Sequence, residues 1–242
     1  MDSPYMQRLI TQAASTGRRY FDIAANLADG MFQGNYNGKP NHPCDIDAVL
    51  GRATANGVDR LLIVGGHIQD TLDSYELCKK NPAMYKTTVG VHPCRANEVF
   101  KNGKNEAVYY EEMDKLIGSL GNAVVAIGEC GLDYDRLDYS EKDTQLKVFP
   151  MHFDLAQKHN LPMYLHSRNC PDDFLKLVKQ NRSKFTTACV HSYTGGEEEL
   201  KQILEMGLYV GINGCSLKTP ENIAIAKKVP LDRLMIESKP HV

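Results

Sequence analysis

Short apolar runs alternate with longer polar or amphipathic segments along most of the chain. The apolar runs are rich in β-branched and aromatic residues, a composition typical of strands, and they cover residues 20–27, 60–64, 86–91, 123–127, 162–166, 187–191, 208–212 and 233–237. The segments between them predict helices over residues 45–56, 70–80, 109–120, 144–159, 172–180, 196–206 and 221–228. The pattern therefore predicts eight strands that alternate with helices.

This alternation predicts a parallel sheet whose faces are covered by helices. Eight strands fit an α/β fold of the TIM type, a closed (β/α)8 barrel, and a doubly wound open sheet is the alternative. A chain of 242 residues has the usual length of one such barrel. No linker or low-complexity tract interrupts residues 20–242, so we predict one barrel domain there, preceded by an N-terminal extension over residues 1–19.

Composition narrows the class of partner and the compartment. A net charge of -2 argues against a broadly basic surface that coats nucleic acid, although it permits local contacts at one site. No apolar run is long enough to cross a membrane, so we expect no membrane partner. Seven cysteines without a CxxC pair predict free thiols in a reducing compartment, which we expect to be the cytoplasm or the nucleus.

The N-terminal extension leaves a second compartment open. Its Arg8, Arg18 and Arg19 and its Ser/Thr/Ala-rich middle are typical of a mitochondrial transit peptide. Asp2 and the small number of basic residues favour a plain helical or disordered extension instead. The mitochondrion is therefore an alternative location.

The stretch 124–133, VVAIGECGLD, concentrates polar residues at the end of a predicted strand. Residues 124–127 are apolar and suit a strand buried on both faces, and the chain turns polar at once after them. Glu129, between Gly128 and Gly131, is either a functional carboxylate at the strand end or a solvated residue of a turn. Cys130 beside it is either a ligand or nucleophile, or a thiol packed under the site.

Polar side chains that can bind metal or titrate follow strand after strand. They are Asp22, Asn26, His67, His92, Glu129, His166, Arg168, His191, Tyr193, Asn213 and Glu237. In a barrel the carboxyl ends of the strands lie on one face, where the active sites of this fold are found. A single histidine at a strand end is commonly structural, but four of them together with a glutamate, on five different strands, predict one convergent site.

The residue types at these strand ends suit metal-assisted hydrolysis. Glu129, His166 and His191 offer one carboxylate and two imidazoles, a set suited to a divalent metal with room left for water. Such a metal lowers the pKa of water and stabilises charge on a phosphoryl or carbonyl oxygen. Arg168 either holds a phosphate oxygen or forms a surface ion pair, and His92 adds a contact or a proton. No GxSxG, P-loop or strand-following GxGxxG motif favours another chemistry.

Four motifs together resemble those of the TatD family of metal-dependent deoxyribonucleases, a branch of the amidohydrolase-like TIM barrels. They are TVGVHP at 88–93, VAIGECGLD at 125–133, PMYLHSR at 162–168 and VHSYTG at 190–195. The resemblance runs in the right order from about residue 20 to residue 237, and IGECGLD is highly specific. GINGCSLKT at 211–219 is similar to the eukaryotic branch of the family.

The resemblance implies hydrolysis of DNA phosphodiester bonds by a 3′→5′ exonuclease, with single-stranded DNA as the partner. It also implies a divalent metal, with Mg²⁺ the first choice and Zn²⁺ or Mn²⁺ as alternatives. The family's metal-binding glutamate matches Glu129, and its two metal-binding histidines match His166 and His191. The assignments that complete the site are Glu129, His92 and Glu237 in catalysis, and Arg168, Asn26, His92 and Asn213 in substrate binding. The oligomeric state is left open.

Two departures from the family pattern keep other functions open. The HxH pair that opens many members is replaced by Ala24 and Asn26. The acidic residue of the family's eighth-strand motif is replaced by Lys239, and the sequence stops at Val242, so we expect a C-terminally truncated barrel that lacks its last helix. The alternatives to a nuclease are a catalytically impaired barrel that retains metal or nucleic-acid binding, and a small-molecule amidohydrolase.

Overall fold

Eight parallel strands form one sheet in the computed structural model, which describes residues 17–36 and 38–238. In chain order they are β1 (Tyr20–Ala25), β2 (Val58–Ile63), β3 (Tyr85–Val89), β4 (Val124–Asp133), β5 (Met163–Arg168), β6 (Ala188–His191), β7 (Tyr209–Ile212) and β8 (Leu234–Ile236). Each strand pairs in parallel with the next one along the chain. The order of the strands in the sheet is thus their order in the sequence, as in a (β/α)8 barrel.

The sheet curls until its last strand lies beside its first. At this join Ser238 donates its backbone N–H to Asp22 Oδ1 over 2.9 Å, and β8 lies against β1. The nearly closed ring confirms the predicted TIM-type barrel and excludes the open, doubly wound sheet. The described residues end two positions after β8, so a helix that follows this strand would lie outside them, as do residues 1–16 of the predicted extension.

Helices connect the strands and cover the outside of the barrel. They are α1 (Ile46–Ala55), α2 (Ile68–Cys78), α3 (Glu106–Leu120), α4 (Lys142–Val148), α5 (Met151–His159), α6 (Pro171–Gln180), α7 (Glu197–Glu205) and α8 (Pro220–Ala226). Leu62 and Val64 pack with Tyr164 in the barrel interior, whereas Leu61 and Ile63 pack against α1 and α2. Because both faces of the central strands are buried, these strands read as continuous apolar runs, whereas β8 is only partly buried.

Two predicted elements differ from those in the structure. The helix predicted over residues 144–159 is divided into α4 and α5 at Pro150, which has no backbone N–H with which to continue the helical hydrogen bonds. The strand predicted over residues 123–127 continues as β4 to Asp133. Gly128 and Gly131 make this continuation possible, since their φ angles of 144° and 146° are nearly closed to other residues.

Two irregular segments follow the carboxyl ends of strands and border the face where these ends meet. A 3-10 segment, Pro93–Gly103, follows β3, and a short antiparallel pair, Asn35–Tyr36 with Lys39–Pro40, follows β1. The helices of the described ranges are all too short or too polar to cross a membrane.

Candidate active site

The carboxyl ends of the strands surround an open cavity of about 610 Å³. Six of the residues singled out from the sequence line it: Asn26, His92, Glu129, His166, His191 and Asn213. They come from, or directly follow, β1, β3, β4, β5, β6 and β7. The convergence predicted from the barrel topology is therefore present in the structure.

One carboxylate oxygen of Glu129 lies at the centre of three imidazoles. Glu129 Oε1 is 2.9 Å from His166 Nδ1, 2.7 Å from His191 Nε2 and 3.3 Å from His92 Nε2. The side chains of Glu129, His166 and His191 are nearly inaccessible to solvent. A solvated turn at Glu129, the alternative left open by the sequence, is excluded by this burial.

The carboxylates and imidazoles of this cluster shift one another's pKa values. Burial alone would raise the pKa of Glu129, but the facing His191 and His92 outweigh it and keep that pKa well below its usual value. Burial would lower the pKa of His191, but the carboxylates of Glu129 and Glu237 raise it to about 10. Glu129 likewise raises the pKa of His92 against the effect of burial. Glu129 is therefore ionised, and its charge favours the protonated form of His191.

The outer ring nitrogens distinguish two of the histidines from the third. His166 Nε2 lies 3.1 Å from Asp133 Oδ2, and His191 Nδ1 lies 3.3 Å from Glu237 Oε2. A carboxylate accepts a hydrogen bond, so in the neutral form each of these rings carries its proton outside and turns a lone pair toward Glu129. His92 is reversed, because its Nδ1 accepts the backbone N–H of Cys94 at 3.1 Å and its proton lies on Nε2, facing the centre.

Glu237 lies behind His191 and is held by several donors. Its side chain is fully buried and accepts hydrogen bonds from the hydroxyl of Tyr164 at 2.8 Å, from Asn213 Nδ2 at 3.1 Å and from the backbone N–H of Ser192. This arrangement fixes the carboxylate that orients His191. The amide oxygen of Asn213 accepts the backbone N–H of Cys215, so both ends of its side chain form hydrogen bonds within the protein.

Asp133 orients His166 as Glu237 orients His191. The sequence analysis gave Asp133 no role. The residue is fully buried, and the side chain of Gln145 holds its backbone through both the N–H, at 2.8 Å, and the carbonyl, at 2.9 Å. Its position four residues after Glu129 on one strand was the available signal, since alternate residues of a strand share a face. Tyr164, two residues before His166, could have been found in the same way.

Local backbone geometry lets β4 and β5 approach each other closely at the site. A Cβ atom added at Gly131 would lie 1.9 Å from the carbonyl oxygen of His166. Glycine is therefore required where the two strands deliver Asp133 and His166 side by side. Cys130 between them is fully buried, and burial together with Glu129 raises the pKa of its thiol well above the usual value, so it is a packed thiol and no nucleophile.

The donor set suits a divalent cation. Glu129, His166 and His191 present one carboxylate oxygen and two imidazole nitrogens whose outer partners are carboxylates, as is usual for histidines that bind metal. His92, Glu129 and His166 also each offer an atom within 4.8 Å of the others. We favour the set with His191 over the set with His92, because the inward nitrogen of His92 carries a proton.

Comparison with known proteins defines the family. The family model described as "TatD related DNase" matches residues 21–241. The chain belongs to this family. It is a hydrolase of the deoxyribonuclease class, which acts on phosphodiester bonds, and a family of this kind implies a divalent metal. The resemblance drawn from the four motifs is thus confirmed.

Relatives of this TatD-related chain are spread over yeasts and bacteria. Deoxyribonuclease Tat-D of Schizosaccharomyces pombe is 37% identical over 232 residues, which are 95% of this chain and 74% of the relative. The 3′-5′ ssDNA/RNA exonuclease TatD of Erwinia tasmaniensis is 32% identical over 221 residues, 90% of this chain and 78% of the relative.

Solved structures place the fold in the same TatD group. A TatD family hydrolase from Entamoeba histolytica has a TM-score of 0.83 and 38% identity over 91% of this chain and 73% of its own. The phosphotriesterase homology protein of Escherichia coli, with a TM-score of 0.56 and 15% identity over 90% of this chain and 79% of its own, shares the fold alone.

One residue assigned to the substrate from the sequence, Arg168, lies elsewhere in this TatD barrel. Arg168 is outside the set of residues that line the cavity, and its Nε donates to Asp135 Oδ2 at 2.9 Å. Two other arginines, Arg95 and Arg136, line the cavity instead. Lys239, expected where the family has an acidic residue, lies outside the described residues.

Proposed function

We propose that the protein removes nucleotides from the 3′ end of single-stranded DNA, with the help of a divalent metal held by Glu129, His166 and His191. The observation that carries this proposal is the Glu129 carboxylate surrounded by imidazoles at the floor of an open cavity. The preference for a 3′ end and a single strand rests on the name of the bacterial relative, a 3′-5′ ssDNA/RNA exonuclease.

The metal supplies Lewis-acid activation of water and of the phosphoryl oxygen when it is bound. The donor set supports a choice among the candidate metals. Two imidazole nitrogens and one carboxylate suit Zn²⁺, whereas Mg²⁺ prefers oxygen ligands throughout. We therefore favour Zn²⁺ over the Mg²⁺ that the family resemblance suggested, with Mn²⁺ as a third candidate.

The other residues of the cluster take roles that their hydrogen bonds allow. His92 directs an N–H toward the centre and donates it to a phosphoryl oxygen of the substrate, where negative charge develops. Glu237 is saturated by its donors and acts on His191, so we propose a positioning role for it in place of direct catalysis. Asn213 supports Glu237 in the same way.

Asn26 lies in the cavity wall after β1 and is available to the substrate. The contact of Arg168 with the substrate stays a prediction. The Arg168 guanidinium is paired with Asp135, so a phosphate would have to displace that carboxylate. The predicted domain boundaries and cell compartment likewise stay predictions.

A nuclease assay tests the proposal. The purified protein, loaded in turn with Zn²⁺, Mn²⁺ or Mg²⁺, is incubated with a single-stranded oligonucleotide labelled at its 5′ end. We expect a ladder of labelled products that shorten from the 3′ end, and loss of this ladder in Glu129→Gln. Glu111→Gln, an exposed glutamate on α3, is the matched control and retains the ladder. Absence of products from folded wild-type protein shown to contain metal would contradict the proposal.

A further inference from the structure

We propose that one wall of the cavity binds the nucleotide next to the scissile phosphodiester. This wall, the arginine wall, consists of Arg95, Arg136 and Tyr139. The two arginines take the phosphate of the neighbouring nucleotide, and Tyr139 stacks on its base. The inference rests on the proposed nuclease function and names the part of a strand that the site grips beyond the reacting phosphate.

Charge is unevenly distributed around the cavity. Arg95 and Arg136 are the permanently charged cations among the lining residues of the described ranges. Arg95 follows β3 and Arg136 follows β4, and these strands are neighbours in the sheet, so both arginines belong to one side. On the side of β1 the lining residues include Asn26 and Asp29, which carry no positive charge. A polyanionic strand is therefore drawn to the side of β3 and β4.

Both guanidinium groups are free enough to bind a phosphate. Arg95 Nη1 is 3.4 Å from Glu98 Oε1, an oxygen that Lys101 already contacts at 2.8 Å. Arg136 Nη1 is 3.9 Å from Asp133 Oδ2, beyond hydrogen-bond distance. The side chains are 48% and 45% exposed, and such loose surface pairs contribute little stability. Replacing these partners by a bidentate phosphate contact is thus favourable.

Tyr139 supplies an aromatic face beside these charges. It is 67% exposed although it lines the cavity, so its ring is available to a ligand. A positively charged groove combined with an exposed aromatic ring is the usual way in which proteins bind single-stranded nucleic acid without regard to sequence.

The wall is held in shape by two amide side chains, Asn97 at the surface and Gln145 in the interior. Asn97 Nδ2 donates to the carbonyl oxygen of Tyr139 at 2.8 Å, which ties the loop after β4 to the segment that carries Arg95. Gln145, 1% exposed, donates to the carbonyl oxygens of Ser140 and Asp133, both at 2.9 Å. The two ends of the loop are thus fixed by one side chain, and little ordering remains to be done when a strand binds.

The wall is also close to the reacting centre. Arg136 faces the carboxylate of Asp133, whose Oδ2 lies 3.1 Å from His166 Nε2. A phosphate bound to Arg136 is therefore separated from the proposed metal ligands by one side chain only, as expected for a neighbouring phosphate of the same strand.

Binding is measured first, on metal-free protein in EDTA so that no cleavage occurs. The probe is a fluorescein-labelled single-stranded oligothymidylate, followed by fluorescence anisotropy at several salt concentrations. We expect Arg95→Ala and Arg136→Ala each to reduce the slope of log K against log salt by about 0.7, the value for one phosphate contact on a single strand. Tyr139→Ala weakens binding about tenfold, within the range for loss of one stacked base, and Tyr139→Phe does not.

Two further variants serve as controls for this binding series. Arg52→Ala removes an exposed arginine that pairs with Asp45 at 3.6 Å on the outside of the barrel, and we expect the affinity and the slope of wild type. Arg136→Lys keeps the charge and should keep the slope, which separates lost charge from a disturbed fold near Asp133. Wild-type slopes in both arginine-to-alanine variants would overturn the proposal.

Hydrolysis of two substrates distinguishes a failure of the arginine wall from a failure of the proposed nuclease function. Bis(p-nitrophenyl) phosphate is a minimal phosphodiester with no neighbouring nucleotide. We expect the wall variants to lose about tenfold more kcat/KM on the oligonucleotide than on this small diester. Equal losses on both substrates would overturn the wall. If wild type hydrolyses neither substrate, the nuclease proposal fails while the binding series still decides whether the wall holds a strand.

Discussion

At the scale of single residues, the partner of each outer ring nitrogen sorts three similar histidines into two roles. His166 and His191 face carboxylates on the outside, whereas His92 accepts a backbone N–H there. The same imidazole therefore offers a lone pair to the centre in two places and a proton in the third. Sequence motifs cannot make this distinction, because it depends on residues from other strands.

A pair of substitutions tests this assignment. His191→Ala removes a proposed ligand, so added Zn²⁺ should no longer raise the unfolding temperature. His92→Gln should keep the metal-induced rise, about 2.7 kcal/mol of stability at a metal concentration a hundred times Kd, but lose hydrolysis. Thermal unfolding with and without metal measures the first effect, and elemental analysis confirms the metal content. Loss of metal from His92→Gln, or full retention in His191→Ala, would show the assignment to be wrong.

The sequence indicated the centre of the site but not its surroundings. Glu129, His166 and His191 could be placed together because each follows a predicted strand of a barrel. The sequence analysis assigned a phosphate contact to Arg168, because it lies two residues after His166, and it gave Arg136 no role. The pairing of Arg168 with Asp135 depends on a loop whose path no periodicity predicts.

At the scale of elements, the close approach of β4 and β5 depends on a missing side chain. The register pairs Gly131 with His166, and a Cβ atom at Gly131 would meet the carbonyl oxygen of His166. This contact sets how near Asp133 comes to the imidazole.

We expect Gly131→Ala to destabilise the protein by about 3 kcal/mol, because it adds a clash to an unfavourable φ. The control is Gly118→Ala in α3, where an added Cβ meets nothing within 4 Å and should stabilise the helix by roughly 0.5–1 kcal/mol. Urea unfolding measures both through the transition midpoint at constant m. Equal stabilities of the two variants would refute the steric argument.

Element types were predictable where the apolar pattern was unambiguous, and element ends were less so. All eight strands of the barrel were predicted, since buried parallel strands read as apolar runs. The division between α4 and α5 was missed although Pro150 was visible, because the apolar pattern continues through it. The continuation of β4 through its glycines was missed because glycine ordinarily weakens a strand.

At the scale of the whole molecule, a buried histidine joins a helix of the outer layer to the barrel. The same residue affects the stability of the protein in acid. His152 on α5 is fully buried, and its Nε2 accepts the backbone N–H of Val91 at 2.9 Å, directly before His92. Its other ring nitrogen lies 3.1 Å from the carbonyl oxygen of Phe149. Burial lowers the pKa of His152 to about 4, so the ring stays neutral in the folded protein.

This shift predicts a loss of stability in acid. Between pH 4 and the ordinary histidine value of 6.5 the unfolded chain binds more protons at this residue than the folded one, so the free energy of unfolding rises with pH. The contribution is complete above about pH 6.5 and is lost as the pH falls toward 4, by about 3 kcal/mol. Urea unfolding of wild type and His152→Gln across this range should give a flatter curve for the variant. Parallel curves would contradict the prediction.

The join between β1 and β8 also determines when the barrel can be finished during folding. The contact of Asp22 with Ser238 spans 216 positions of the chain, whereas each strand pair of the sheet joins consecutive strands. Such a long-range contact slows folding, because the chain loses the entropy of closing a large loop before the contact can stabilise it. Until then β8 does not cover the outer edge of β1, and this edge can pair with another chain. Conditions or chaperones that shield this one edge should therefore decide the yield of folded protein.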